Sequence, residues 1–253
     1  MRHVRFSPLQ IASIALIFAA WYGAAQFFPP AFFPRPAEVL RLIVRDLSEG
    51  TALSHLLLSL QRTFVGFLVA LGISVPLGIG MGFLRQMEGS FRIWVLVGLS
   101  IPGMSWAFLG VMFFQLSEVA VYFPVAVVVI PFLTLDIWKG TQALDSDLMR
   151  MARVFHLSRF QTARQIVLPH LVPHLLAGSR YGVGLAWKIT ATAEFLTRDN
   201  GVGFQIKHAG SLFDLAGIFS WTLMFAFVLL IIEIGVFGSI ESRLTRWRPR
   251  VAF

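Results

Sequence analysis

The sequence predicts an all-α membrane protein, a bundle of six transmembrane helices with both termini in the cytoplasm. Of its 253 residues, 57% are apolar and 13% are charged, and the mean hydropathy is +0.74. Soluble domains contain about 45–50% apolar and about 25% charged residues. This composition excludes a disordered chain, a disulfide scaffold and an ordinary cytosolic enzyme. Cysteine is absent, which also excludes thiolate catalysis and metal sites built from cysteine.

Six apolar stretches are long enough to cross a bilayer, which takes about 20 residues per helix. They cover residues 9–28, 57–84, 93–117, 119–138, 171–196 and 215–240. The fifth contains Arg180, Lys188 and Glu194, yet an even number of spans is needed to keep both basic termini inside. Six spans leave thirteen Lys and Arg residues inside and five outside. The net charge of +8 is therefore interpreted as cytoplasmic anchoring and not as nucleic-acid binding.

The first stretch has a second interpretation, because a basic start, an apolar run and the small residues 23–25 are typical of a signal peptide. Its apolar core is longer than the usual 7–15 residues, which favours a spanning helix. Residues 37–47 follow a proline-rich segment and predict an amphipathic helix at the outer membrane surface.

Two pairs of glycines four residues apart occur inside predicted spans. They are Gly78 with Gly82 and Gly178 with Gly182. Small residues at this spacing let helices approach closely in lipid. Glycine is also common in membrane helices generally, so either pair could instead have no packing role.

The longest inside loop, residues 145–169, has structure of its own. A first short helix carries apolar residues at positions i, i+3, i+4 and i+7, namely Leu148, Met151, Ala152 and Phe155. Ser158 and Gln161 form the pattern of a capping box, which predicts a second helix that ends at Pro169. The resulting elbow is either an interfacial helix pair lying on lipid or a docking surface for a soluble partner.

This loop resembles the cytoplasmic docking loop of ABC importer permease subunits. The family pattern is E-A-A, three residues, G-A-S, and then I-x-L-P nine residues after the Gly; this chain has RMA at 150–152, HLS at 156–158 and IVLP at 166–169. Other segments resemble the nitrate/sulfonate/taurine branch, and they are FPRP at 33–36, SLQR at 59–62, LAGSRYGVGLAW at 176–187, AE at 193–194 and RLTRW at 243–247. The departures are Arg150, Met151 and His156, and fewer prolines in 101–106.

The resemblance implies a single permease domain over residues 1–253, with the six-helix fold of type I ABC importers. It assigns docking of the ATPase to Leu148, Met151, Ala152, Phe155, His156, Leu157, Ser158 and Arg159. The implied partners are two ABC ATPase subunits, a second copy of the permease or a paralogue, a periplasmic or lipid-anchored binding protein, and membrane lipid. No nucleic acid is implied, and the implied location is the bacterial cytoplasmic (inner) membrane.

ATP with Mg²⁺ is expected in the partner ATPase, because the chain has no G-x-x-x-x-G-K-[ST] sequence. No cofactor or metal is expected in this chain. His170 and His174 have a spacing that can bind a metal, but Pro173 lies between them and no acidic ligand is nearby, so they are interpreted as interfacial histidines.

Charges inside spans predict functional sites, since an unpaired charge in lipid is costly. We assign the translocation path to Met104, Ser105, Trp106, Lys188 and Glu194. Arg180 could line the path, or it could form a structural ion pair with Glu233 at similar depth. Glu194 lies nearer the outside, where it could equally belong to a gate or to an interface.

The predicted function is that of a permease which forms the substrate path and couples to an ATPase through residues 145–169. A small organic or inorganic anion is the expected substrate, and a neutral or cationic vitamin precursor is the alternative. An intramembrane enzyme is the other class considered, but no nucleophile and base lie at matching depth. Because the family has glycine at position 156, the sequence also predicts φ > 0 for His156.

Overall fold

The computed structural model describes residues 8–29 and 32–239, and this part of the chain is helical and contains no strand. The basic termini, residue 240 of the last predicted span and the segment 243–247 lie outside the described residues. The elements follow in the order α1 (Pro8–Phe27), α2 (Pro36–Ser48), α3 (Thr51–Phe83), α4 (Arg85–Ser100), α5 (Gly103–Phe114), α6 (Val119–Gln142), α7 (Ser146–Val154), α8 (Arg159–Thr162), a π-helical segment (Ala163–Val167), α9 (Leu168–Thr197), α10 (Val202–Ser211), α11 (Leu215–Ile231) and a second π-helical segment (Ile232–Phe237).

The core of the bundle is built around α6, which packs against α3, α4, α5 and α9. Four apolar side chains recur every four residues along one face of α6 and are at most 1% exposed, and they are Val125, Val129, Leu133 and Ile137. They share one apolar cluster with Phe67 of α3 and Val183 of α9. Lipid is as apolar as these side chains, so close packing rather than escape from water holds the helices together.

Both predicted glycine pairs are contact points with α6. A β-carbon added at any of Gly78, Gly82, Gly178 or Gly182 would lie 3.1 Å or less from a side-chain atom of that helix. At Gly82 the nearest atom would be the methyl carbon of Thr141, at 2.3 Å. The packing role predicted for these glycines is therefore confirmed.

The third predicted span, 93–117, is not one continuous helix, which corrects the prediction. It divides into α4 and α5, which are bent by 96° relative to each other. Ile101 precedes Pro102 and has extended backbone angles, φ −80° and ψ 127°, as residues before proline prefer. The helix therefore ends at Ser100 and a new one begins at Gly103.

Four described helices are long and apolar enough to cross a membrane, and the bent pair α4–α5 would be a fifth if the two helices together form one span. The segment predicted as the fifth span is α9, a helix of 30 residues, about 45 Å long at 1.5 Å per residue. The count of spanning helices given above is based on apolarity, and α9, which carries three interior charges, is not included in it. The predicted all-α fold class is confirmed, while the six boundaries and the cytoplasmic position of the termini stay predictions.

The predicted helix end at Pro169 is wrong. The chain runs without a break from α8 through the π-helical segment Ala163–Val167 into α9. Pro169 is the second residue of α9, which follows directly on the π-helical segment. The wider π-helical turn before it shifts the hydrogen-bond register. As a result, one continuous helical rod of residues 159–197 joins the elbow to the far end of α9.

Candidate docking elbow and translocation groove

The first helix of the elbow ends in a left-handed turn at His156. The φ angle of His156 is 52°, so the predicted positive φ is confirmed. The Leu157 N–H donates to the Ala152 carbonyl at 2.9 Å, and the His156 N–H donates to the Arg153 carbonyl at 3.1 Å. This pair of bonds is a Schellman motif, a common way to end a helix, although the left-handed position is usually glycine.

The second helix of the elbow begins with the predicted capping box. The Gln161 N–H donates to Ser158 Oγ at 3.2 Å, and the Ser158 N–H donates to Gln161 Oε1 at 2.8 Å. Both predicted partners of the box are therefore confirmed. One residue, Leu157, separates His156 from this cap, so the turn between α7 and α8 has backbone hydrogen bonds on one side and the bonds of the capping box on the other.

Most residues predicted to dock an ATPase are open on the elbow surface. Leu148, Met151 and Phe155 are 38%, 44% and 70% exposed, His156 and Ser158 are also exposed, and Leu157 is half-buried. Ala152 is a correction, because its side chain is only 3% exposed and cannot contact a partner in this conformation. The side chain of Arg159 lies outside the described part of the structure.

Two apolar residues of the elbow were missed by the sequence reasoning. Val154 and Phe160 are each 73% exposed, as much as Phe155. Both are off the i, i+3, i+4, i+7 pattern used to choose docking residues. The signal that could have found them is simpler, since large apolar side chains between arginines in a water-facing loop have no reason to be there without a partner.

A groove of about 900 Å³ lies between α9 and α11 and continues along the second π-helical segment. Its wall is mostly apolar, but Arg180, Lys188 and Glu233 also line it. Arg180 Nε donates to Glu233 Oε1, which ties α9 to the π-helical segment. The ion pair considered for Arg180 is therefore confirmed.

Lys188 is exposed and lines the groove. Within the described residues, no hydrogen bond or ion pair holds its ammonium group. The adjacent Trp187 contacts α11, where its indole N–H donates to the Phe225 carbonyl at 3.1 Å. On the next turn, Thr63 Oγ1 of α3 donates to Thr190 Oγ1 at 2.9 Å. These contacts on its flanks leave Lys188 directed into the groove.

The other predicted path residues, Met104, Ser105 and Trp106, lie in the first turn of α5 and outside the groove lining. Met104 is 53% exposed, while the half-buried Trp106 has an indole N–H without a partner. A β-carbon at Gly103 would lie 2.3 Å from the Ile189 side chain of α9. The start of α5 therefore meets α9 one residue away from Lys188.

Glu194 is a second correction, because its side chain is fully buried and lines no open surface in this conformation. Its carboxylate accepts hydrogen bonds from Arg62 Nη1 at 2.8 Å, from Ser59 Oγ at 2.8 and 2.9 Å, and from the Gly203 N–H at 3.0 Å. These contacts join α9 to α3 and α10. The geometry is that of a structural centre and not of a path wall.

Arg62 is the centre of this cluster and was not predicted. It is fully buried, and its guanidinium uses all five N–H donors, two toward Glu118, one toward Glu194 and two toward Asn200. Arg198 also pairs with Glu118, so two arginines and two glutamates balance. The sequence did contain a signal for Arg62, because it is a charged residue inside the predicted span 57–84. A charge at such a position needs a partner.

Glu118 lies between α5 and α6, outside the spanning segments. Hydrogen bonding from Arg62 lowers the pKa of this carboxyl below its ordinary value, and partial burial opposes the effect. The carboxylate therefore stays ionised through the physiological range, which keeps the cluster neutral.

His170 makes a structural contact, since its ring Nε2 lies 3.1 Å from the Gly140 carbonyl oxygen, which accepts the hydrogen bond. The rings of His170 and His174 are 5.9 Å apart. Within residues 8–29 and 32–239, no three His, Asp or Glu side chains are grouped closely enough to hold a metal ion.

Comparison with known proteins identifies the family. The profile described as "Binding-protein-dependent transport system inner membrane component" matches residues 74–244, more than half of the chain. The chain belongs to this family, and it is a transmembrane permease subunit of an ABC importer, as the sequence predicts. The matched region contains α6, the elbow, α9 and all residues that line the groove, but it does not include the Ser59 and Arg62 end of α3.

Several relatives match over most of their length. The taurine transport system permease protein TauC of Escherichia coli (strain K12) is 24% identical over 250 residues, covering 96% of this chain and 90% of that protein. The putative aliphatic sulfonates transport permease protein SsuC of Bacillus subtilis (strain 168) is 25% identical, covering 92% and 85%. The nitrate import permease protein NrtB of Synechococcus elongatus is 28% identical, covering 81% and 71%.

Among solved structures, the fold is similar to a chain of the MetNI methionine ABC transporter in an inward facing conformation. The TM-score is 0.68 at 17% identity, and the match covers 82% of this chain and 98% of that chain. At this identity the likeness concerns the fold alone. It agrees with the type I importer architecture expected from the sequence.

Proposed function

We propose that this permease carries a small organic or inorganic anion across the bacterial cytoplasmic membrane, along the groove between α9 and α11. The observation that carries the proposal is Lys188, a cation without an ion-pair partner among the described residues, exposed in a groove of about 900 Å³. A lysine facing lipid at mid-span would cost about 3 kcal/mol or more. Water or an anion in the groove removes this cost.

The named substrates of three relatives support an anion. Those proteins are named for taurine, aliphatic sulfonates and nitrate, which are all compounds with a negatively charged sulfonate or nitrate group. Glu233 is occupied by Arg180, so the charge left over in the groove is positive. A positive site with an apolar wall suits a small anion that carries an organic part.

Coupling is proposed to act through the elbow of residues 145–169. Val154, Phe155 and Phe160 are large apolar side chains that face water in the isolated chain, which supports a protein partner there. We infer two ABC ATPase subunits, with ATP and Mg²⁺ bound in them. A second permease, identical or paralogous, would complete the path, and a periplasmic or lipid-anchored binding protein would deliver the substrate. ATP binding would then move the elbows and switch the path from inward- to outward-facing.

The test is transport by lysine variants in the reconstituted importer. A hydrogen bond to a charged group contributes about 1.5–3 kcal/mol, so Lys188→Met should lower the transport efficiency for the anion at least about tenfold. Lys188→Arg keeps the charge and should lose less. Lys207→Met is the matched control, since Lys207 is an exposed lysine on α10 away from the groove.

Unchanged anion transport by Lys188→Met, with normal assembly, would overturn the proposed path. The same variants test the alternative substrate class. If Lys188→Met raises uptake of a cationic vitamin precursor and leaves the anion untouched, the permease is one for cations, because removal of the positive charge favours a cationic solute.

A further inference from the structure

The Arg62 cluster lies at the Glu194 end of α9, beyond Lys188, which is the last residue of α9 that lines the groove. Arg62 of α3, Glu194 of α9 and the first turn of α10 meet there in a fully buried contact. Neither the path nor the docking elbow uses these residues. A function for the cluster therefore has to come from what it does to α9.

The start of α10 is built to reach Glu194. The Val202 N–H donates to Ser59 Oγ at 2.9 Å, and the Gly203 N–H donates to the Glu194 carboxylate at 3.0 Å. A β-carbon at Gly203 would lie 2.0 Å from the Ala191 carbonyl oxygen, so only glycine allows this approach. The free N–H groups and the positive end of α10 thus face a carboxylate.

Glu194 and Lys188 are six residues apart on one helix. At 3.6 residues per turn, their side chains point in directions that differ by about 120°, and they are separated by about 9 Å along the axis. If Glu194 is held toward α3 and α10, the side chain of Lys188 is held about 120° around the helix axis from it. The cluster and the groove are thus related through the rotation of α9.

Lipid cannot set this rotation by itself. An apolar helix gains little from turning one face rather than another toward lipid, because hydrocarbon and apolar side chains are alike. A buried polar contact can set a register, since a wrong rotation leaves charges without partners. The Arg62 cluster has four charged groups that satisfy one another, and Glu194 brings α9 into it, which is a strong restraint of this kind.

We propose that Arg62 and Glu194, with Ser59 and Gly203, are positioning residues that fix the rotation of α9 so that Lys188 faces the groove. The proposal rests on the proposed function, in which Lys188 contacts the anion. It also assigns a task to the SLQR segment at 59–62 and to Glu194, which the path and the elbow leave unused. Because α9 continues into the elbow, the same restraint gives the rod of residues 159–197 a fixed outer end.

The test is a cysteine scan of α9 in the intact transporter with its ATPase, which the absence of native cysteine in this chain makes simple. Single cysteines replace two residues that line the groove, Gly184 and Lys188, and two fully buried residues, Ala186 and Thr190. A water-soluble methanethiosulfonate reagent then reports which side of α9 faces water. In the otherwise unchanged chain, positions 184 and 188 should react and positions 186 and 190 should not.

The scan is repeated with Arg62→Gln and Glu194→Gln together, a neutral change that leaves the Arg198–Glu118 pair in place. We expect the contrast between groove and buried positions to fall at least about fivefold, the lower end of typical coupling effects. Transport per ATP hydrolysed should fall as well. The matched control removes an ion pair outside the cluster, Arg45→Gln with Asp46→Asn on α2, and should leave the pattern unchanged.

Each outcome of the scan tests whether Arg62 and Glu194 position Lys188. An unchanged labelling pattern in the double variant overturns the positioning role alone. No reaction at any of the four positions in the otherwise unchanged chain overturns the proposed path, and the assignment with it. If the double variant is not recovered as an assembled transporter, Ser59→Ala replaces it, because this change keeps every charge and removes only the hydroxyl. An unchanged pattern with Ser59→Ala then overturns the assignment.

Discussion

Replacement of Gly82 by alanine tests the close contact between the C-terminal ends of α3 and α6. An added β-carbon would lie 2.3 Å from Cγ2 and 2.4 Å from Cβ of Thr141, whereas carbon atoms in contact prefer about 3.5–4.0 Å. To make room, α3 and α6 would have to separate by more than about 1 Å. Overpacking of this kind costs about 1–3 kcal/mol, and we expect Gly82→Ala to lower the stability of the permease by that amount.

The assay is the midpoint of thermal unfolding of the purified permease in detergent, where a loss of this size lowers the midpoint by several degrees. Gly72→Ala is the matched control on the same helix, because Gly72 is exposed and nothing lies within 4 Å of its β-carbon position. Alanine is favoured over glycine in a helix by about 1 kcal/mol, so the control should be neutral or stabilising.

The exchange Gly82→Ala with Thr141→Gly moves the bulk from one helix to the other and should recover part of the loss. If Gly82→Ala is as stable as Gly72→Ala, the close approach of α3 and α6 is wrong, and with it the arrangement of the core. Destabilisation that the exchange leaves unchanged would show that the cost arises somewhere other than at this contact.

Three further predictions concern the elbow and the outer cluster. His156→Gly should stabilise the elbow by up to about 1 kcal/mol, because glycine adopts the left-handed conformation without the strain of a β-carbon, although it loses more backbone entropy on folding. Amide hydrogen exchange of α7 would measure this stabilisation, and faster exchange in the variant would contradict it. Phe155→Asp should weaken ATPase association at least about tenfold in pull-down titrations. Phe213→Asp should leave the association unchanged, because Phe213 is an even more exposed phenylalanine but lies between α10 and α11; equal effects would refute the docking surface. The stabilisation from the Glu118 carboxylate should be complete above the ordinary glutamate pKa and should disappear as pH falls through the lowered folded-state pKa. The unfolding midpoint of Glu118→Gln should therefore differ from that of the unchanged chain at neutral pH but not in acid. A difference that persists in acid would contradict the role of its charge.

Local signals in the sequence predicted the elbow well. The capping box at Ser158 and the positive φ of His156 depend on a few adjacent residues, so a pattern is enough to predict them. The glycine pairs could be predicted as candidate contacts, since small residues four apart let helices approach closely in lipid, but glycine is common in membrane helices and the pattern alone did not establish a packing role. Their partner helix, α6, could not be read from the sequence, because the partner depends on the topology of the bundle.

Predictions failed where a long-range partner decides the outcome. Glu194 was assigned to the path from its position alone, but Arg62, 132 residues earlier, makes it a buried structural residue. The helix end at Pro169 failed because a π-helical turn moved the proline into the first turn of α9. The bend of 96° at Pro102 was missed because hydropathy measures the length of an apolar run and not its direction.

The most direct test of the path is accessibility at position 188 in the assembled importer. With Lys188→Cys as the single cysteine, an anionic methanethiosulfonate reagent is applied from one side of the membrane at a time, with and without a trapped ATP state. The account predicts that the reagent reaches position 188 from the cytoplasmic side without nucleotide and from the outer side in the ATP state. A cysteine that reacts in neither state, or from the same side and at the same rate in both states, would contradict the claim that this groove is the path.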